Sequence, residues 1–161
     1  MKGTKVCPAV LGGTNWWSAS FEKSTDLFYV LAIESCSIFV KESEEWKAGH
    51  SYMGGNSRTA PSDPPVQYVR AIDINTGKIT WETRQAGSGE SRSGTMGTAG
   101  GLVFFGDDTG AVAALDSATG RPLWSFQTSQ ALRASPMTYV FDNRQMIALA
   151  SGSNILAFGL P

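Results

Sequence analysis

Residues 94–128 read GTMGTAGGLVFFGDDTGAVAALDSATGRPLWSFQT, and this stretch decides the fold. Apolar residues alternate with small or polar ones, and Gly-bearing turns separate the runs. Period-2 patterning bounded by such turns marks paired strands. It predicts strands at residues 95–99, 102–106, 111–116 and 122–127. The second half of the stretch has an earlier copy. Ala71-Ile72-Asp73-Ile74-Asn75-Thr76-Gly77-Lys78-Ile79-Thr80-Trp81 matches Ala114-Leu115-Asp116-Ser117-Ala118-Thr119-Gly120-Arg121-Pro122-Leu123-Trp124 at a constant offset of 43 residues.

Each shared position has a physical reason. Asp73 and Asp116 leave an inner strand and can bond the backbone two residues on. Gly77 and Gly120 supply the positive φ that closes the turn. Trp81 and Trp124 follow on the outer strand. There an indole can cover the gap to the next sheet, burying ~200 Å² while its N–H finds a carbonyl. A period near 40 built from strands is the sequence sign of propeller blades.

Working outward, residues 18–21 and 27–33 read as strands joined by a polar turn at 22–26. Residues 37–40 extend or pair with the second of these. Residues 66–74 and 78–84 form the first copy of the repeated strand pair, and 85–92 reads as a flexible connection. Downstream strands fall at 137–141, 146–150 and 155–158. The last lies 43 residues past Val112-Ala113-Ala114-Leu115 and is a third inner strand. The expected fold is all-β, a partial β-propeller of four-stranded antiparallel blades. Two blades are full and a closing one has three strands, which makes eleven strands. Residues 1–84 form one blade with a long loop insertion at 41–65, residues 85–128 the second, and 129–161 the incomplete closing blade. A propeller ring needs about four to eight blades. The expected partners are therefore upstream blades of a larger protein, or other copies of the chain.

Composition excludes several function classes. Charged residues make up 17% of the 161 positions and the net charge is −1. No basic field exists to hold nucleic acid or an anionic membrane. No apolar run reaches the ~18 residues of a membrane span. The opening MKGTKVCPAVLGG lacks the apolar core of a signal peptide, so as written the chain is expected in the cytosol. Residues 1–17 and 41–65 read as loops. Glu42, Glu44 and Glu45 read as a solvated charged face, and His50, the only histidine, as a bystander without an orienting partner. Asp107-Asp108 sits in a G-D-D-T-G hairpin, where Asp does ordinary turn chemistry rather than metal binding. Cys7 and Cys36 are either free thiols or one disulfide, and no C-x-x-C suggests zinc.

With these residues in place the chain resembles the pyrroloquinoline quinone (PQQ)-dependent alcohol dehydrogenases, eight-bladed quinoprotein propellers. The matching elements are Val6-Cys7-Pro8, Gly12-Gly13-Thr14-Asn15-Trp16, Thr25-Asp26-Leu27-Phe28-Tyr29-Val30 and the run from Gly94 through Gly106. Ser135-Pro136-Met137-Thr138-Tyr139 followed by Gln145-Met146-Ile147-Ala148 completes the set. They cover nearly the whole chain but only the C-terminal portion of the family's catalytic domain.

The resemblance implies a Cys7–Cys36 disulfide, which would restrain the Asn15 loop and add ~3 kcal/mol in an oxidising compartment. It also implies that Asn15 hydrogen-bonds PQQ; a side-chain amide offers both donor and acceptor for this. The competing role for Asn15 is a cap on the Gly-Gly turn. Trp16 and Trp17 are expected to pack the blade. Many family members have a Trp at the position of Arg92, so a cofactor role for the 85–94 loop is not carried over. The family removes hydride from an alcohol onto the quinone, with Ca²⁺ or a lanthanide as Lewis acid and a carboxylate as base. No stretch here matches the motifs for the metal ligands or the base, so no catalytic or metal residue is assigned in this chain. The resemblance further implies a periplasmic location and a cytochrome or quinone electron acceptor. The alternative is a non-catalytic propeller scaffold that binds protein through its free blade edges. The Asn15-Trp16 element and the cysteine spacing disfavour it.

Overall fold

The computed structural model describes residues 3–88 and 92–159, and every element in it is a strand. They run β1 (Thr4–Val6), β2 (Ser20–Glu22), β3 (Leu27–Glu34), β4 (Ser37–Lys41) and β5 (Gly55–Thr59). Next come β6 (Val66–Asp73), β7 (Ile79–Arg84), β8 (Thr95–Thr98), β9 (Leu102–Gly106), β10 (Ala111–Asp116) and β11 (Pro122–Gln127). The last are β12 (Met137–Phe141), β13 (Arg144–Ser151) and β14 (Asn154–Gly159). Two four-stranded sheets, β2-β3-β6-β7 and β8-β9-β10-β11, are followed by the three-stranded β12-β13-β14. All pairings within them are antiparallel. These are the two full blades and the three-stranded blade expected from the repeat.

The repeated turns form as the residues dictate. Asp73 Oδ1 accepts the amides of Asn75 (2.8 Å) and Thr76 (3.0 Å). Asp116 Oδ1 accepts those of Ala118 (3.1 Å) and Thr119 (2.9 Å) and the Thr119 hydroxyl (2.8 Å). These bonds, the hydroxyl first among them, hold the Asp116 carboxyl below its usual range. Gly77 (φ 69°) and Gly120 (φ 71°) close the two turns, and both strand pairs carry a register shift at the same repeat position.

What joins blade to blade is a dock. Trp81, 9% exposed, donates its indole N–H to the Ser117 carbonyl at 2.9 Å. The ring lies so close to Gly120 that a Cβ there would collide with it. Tyr29, fully buried, donates its hydroxyl toward the same carbonyl (3.1 Å) and toward Glu22 Oε2 (2.9 Å). The Ser117 amide is itself fixed to the Gly101 carbonyl (2.9 Å). One core cluster spans the interface, with Tyr29, Leu31, Ile33, Val69, Ala71 and Trp81 against Val103, Phe105 and Leu115. Strand alternation turns Val112 the other way, into a second cluster with Leu132 and Leu149. The middle blade is thus buried on both faces.

Several sequence expectations are corrected. β4 does not extend β3 or pair with it; it pairs with β1 and β5 in a separate three-stranded sheet. Strands therefore occur inside residues 1–17 and 41–65, and there are fourteen among the described residues rather than eleven. β1 and β5, TKV and GNSRT, are mostly exposed and lack apolar alternation, so periodicity cannot reveal them. Glu22 belongs to β2 and is buried, not part of the polar turn. Of the 85–92 connection, residues 89–91 lie outside the described residues. Gln85 and Ser88 are not loose: the Gln85 amide bonds the Gln67 carbonyl (2.8 Å) and the Ser88 amide bonds Asp108 Oδ2 (2.9 Å). Trp124 is 41% exposed, unlike its repeat mate. It stacks with Phe126 and meets Phe158 edge-on at 5.2 Å. Trp81 is received by a turn 36 residues ahead, and the same spacing from Trp124 leads to residue 160, outside the described residues.

Two outcomes follow for this chain. Trp81→Phe removes the indole donor and leaves a gap over Gly120, at a cost of about 2–3 kcal/mol. Trp124→Phe costs under about 1 kcal/mol because much of that ring is already in solvent. Urea unfolding of both variants checks the asymmetry. The second outcome concerns pH. Burial pushes the Tyr29 hydroxyl above its ordinary 10.0, opposed by hydrogen bonds with Thr25 and Ser117 and reinforced by Glu22. Burial also pushes the Glu22 carboxyl upward, but hydrogen bonds from Ser24, Ser117, Tyr29 and Thr25 outweigh it and hold Glu22 below 4.5. The Glu22 contribution is present above pH 4.5 and lost as pH falls through its folded pKa; the Tyr29 contribution is present below pH 10 and lost as pH rises through its folded pKa. Melting temperature plotted against pH falls at both ends, and Glu22→Gln flattens the acid arm.

Candidate functional site

The first strands of the blades converge. The Thr95 amide at the head of β8 bonds the Ser18 carbonyl (2.8 Å), and Ser20 Oγ meets Thr95 Oγ1 (3.1 Å). Thr95 Oγ1 also donates to the Tyr29 carbonyl (3.0 Å). The entry to β12 is tied in by Ser93 Oγ, which donates to the Ala134 carbonyl (2.8 Å). Gly94 sits at the centre: a Cβ there would collide with the Ser18 amide and with the hydroxyls of Ser18 and Ser135. Three loops, at 15–18, 92–94 and 133–135, therefore meet around one residue that has no side chain. This is the hub end of the wedge, and only glycine permits so close an approach.

Asn15 stands in the first of these loops and is exposed. Its Nδ2 donates to the Leu11 carbonyl (3.1 Å) and its Oδ1 accepts the Trp16 amide (2.9 Å). The amide thus braces its own loop, as a turn cap would. A primary amide has two N–H donors and two acceptor lone pairs. After these bonds, one of each is left for a ligand. Trp17 is buried in the core with its indole N–H lacking an acceptor among the described residues. Trp16 is 74% exposed, which corrects the expectation that both indoles pack the blade.

The Asn15 loop is held from behind. Cys7 and Cys36 form a disulfide with Cα atoms 4.5 Å apart, closing a span of 29 residues. The Ile33 amide bonds the Gly13 carbonyl (2.7 Å) and the Ala9 amide bonds Ser35 (2.8 Å). Bridge and backbone bonds together fix residues 7–13 to the end of β3.

The remaining polar candidates serve the structure. Asp107 Oδ1 accepts the Thr109 amide (3.0 Å), the Thr109 hydroxyl (2.7 Å) and the Ala111 amide (2.8 Å), all within its own turn. Glu44 Oε2 accepts the amides of Met53 (3.2 Å) and Gly54 (2.9 Å), which anchors the long β4–β5 loop. His50 is exposed. Among the described residues no three His, Cys, Asp or Glu side chains group as a metal site.

Comparison with known proteins accords with this geometry. The glucose/ethanol/alcohol dehydrogenase β-propeller domain of the PQQ family matches residues 1–147. A quinone-linked 1-butanol dehydrogenase of Thauera butanivorans is 36% identical over 148 residues, which cover 91% of this chain and 23% of that protein. A lanthanide-dependent methanol dehydrogenase of Methylorubrum extorquens is 32% identical, over 91% of this chain and 25% of that protein. Among solved structures, a europium-containing methanol dehydrogenase superposes with a TM-score of 0.84 at 29% identity, over 94% of this chain and 27% of that one. The chain spans about a quarter of the length of these relatives. With paired blades, a laced hub and this match over most of its residues, the chain belongs to the PQQ-dependent alcohol dehydrogenase β-propeller family.

Proposed function

We propose that this chain is the C-terminal part of a periplasmic PQQ-dependent alcohol dehydrogenase and supplies one wall of the cofactor funnel. The observation that carries it is the hub geometry: loops from three successive blades meet at Gly94, with Asn15 exposed in one of them. The donor set suits the cofactor. PQQ presents quinone and carboxylate oxygens, and the hub offers the spare amide N–H of Asn15. Bound there, PQQ would supply the electron-pair acceptor for oxidising an alcohol to an aldehyde.

The chain's own residues position rather than react. Asn15 orients the ring edge through its free donor and acceptor. The disulfide and the backbone bonds behind it keep that amide in one place, so less ordering is needed on binding. Packed blade faces exclude water from the hub's flank. The Ca²⁺ or lanthanide ligands and the proton-accepting carboxylate are assigned to upstream blades. An acceptor such as a cytochrome or quinone would take the electrons from the complete enzyme. The chain alone is expected to be inactive.

The test uses the assembled propeller, as one longer polypeptide or as this chain joined with upstream blades. It is expected to bind PQQ with metal and to oxidise primary alcohols in a dye-coupled assay. Asn15→Ala is expected to weaken PQQ binding by about tenfold while the melting temperature stays close to the parent's. An assembly that folds and binds no PQQ refutes the proposal.

A further inference from the structure

We infer that Arg92 and Arg133 form a paired guanidinium site at the hub that holds carboxylate groups of the quinone cofactor. This deepens the function proposed above and rests on it. The placement comes from the lacing of the loops. Ser93 Oγ bonds the Ala134 carbonyl at 2.8 Å, across 41 residues of sequence. Arg92 immediately precedes Ser93, and Arg133 immediately precedes Ala134. Their backbones are therefore held within about 15 Å of each other, each one residue before a partner in that hydrogen bond. The same two loops meet Ser18 around Gly94, three residues on from Asn15.

Among the described residues the pair has no ion-pair partner. Arg70 shows what a compensated arginine looks like in this protein, lying between Glu34 and Glu82. Arg92 is half-buried and Arg133 exposed, and neither makes an ion pair among the described residues. The converging loops, residues 15–18, 92–95 and 131–136, contain no Asp or Glu. In sequence the acid next to Arg92 is Glu90, which lies outside the described residues; beside Arg133, the Asp107 carbonyl accepts the Leu132 amide (3.0 Å). Asp107 Oδ1 is taken up by three donors of its own turn. Two arginines on hydrogen-bonded neighbouring segments, one of them partly desolvated, favour an anion that both can reach. Arginine suits a planar carboxylate because its fork can donate two parallel hydrogen bonds. PQQ carries three carboxyl groups, so one rigid ring can present an anion to the arginines and a quinone oxygen to Asn15.

The test measures PQQ affinity of the assembled propeller by fluorescence quenching, for the parent, Arg92→Gln and Arg133→Gln. A parallel titration uses the PQQ trimethyl ester, which keeps the ring and lacks the charges. Each variant is expected to bind PQQ at least tenfold more weakly than the parent. Each is also expected to show a shallower salt dependence and to bind the ester about as well as the parent does. Arg133 is exposed, so its variant keeps the test alive if Arg92→Gln misfolds. Unchanged PQQ affinity in folded variants, or equal losses for PQQ and ester, overturns the arginine site and leaves the cofactor proposal standing. No PQQ binding by the parent assembly overturns both.

Discussion

The Ser117 carbonyl is the point on which this architecture turns. It accepts the indole of Trp81 and lies within reach of the Tyr29 hydroxyl, both from the neighbouring blade. Its own residue is pinned by the Asp116 turn on one side and by the Gly101 carbonyl on the other. A carbonyl in that position would be costly to bury without partners, and with them it fixes where one blade sits against the next. Gly120 completes the dock because only a residue without Cβ lets the indole lie flat on the turn. Behind it, strand alternation fills the interface with Val69, Ala71, Val103 and Leu115. Hydrophobic burial supplies most of the attraction, and the hydrogen bonds select the register.

That register reaches the hub. Because the first blade is docked at its outer strand, its inner strand arrives beside β8 with Ser18, Ser20 and Thr95 in bonding distance. The loops that precede the inner strands are then forced together at Gly94. The placement of Asn15, Arg92 and Arg133 near one another is thus a consequence of blade packing, not of any local motif. The separate β1-β4-β5 sheet and the disulfide hold the outer end of the Asn15 loop, so both ends of the segment are anchored.

The blades were legible in the sequence because their turns carry their own chemistry. Asp-x-x-Thr-Gly makes its bonds within five residues, and tertiary context does not need to be known. The β1-β4-β5 sheet was not legible, since GNSRT has neither alternation nor apolar content and is a strand only because β4 lies beside it. Neighbouring indoles gave the same ambiguity. Trp16 and Trp17 share a composition argument, yet one is 74% exposed and the other 6%. Asn15 could be singled out by resemblance alone, and its bracing of its own loop needed coordinates. Arg92 and Arg133 lie 41 residues apart, and nothing in the sequence pairs them.

A single buried carbonyl, that of Ser117, locks the two adjacent four-stranded blades together. Hydrogen exchange at the tryptophan indoles, read by NMR with each signal assigned by single Trp→Phe variants, tests this lock most directly. The Trp81 N–H is expected to exchange only through global unfolding, while the Trp16 and Trp124 N–H groups exchange orders of magnitude faster. A Trp81 indole exchanging as fast as Trp124's would contradict it.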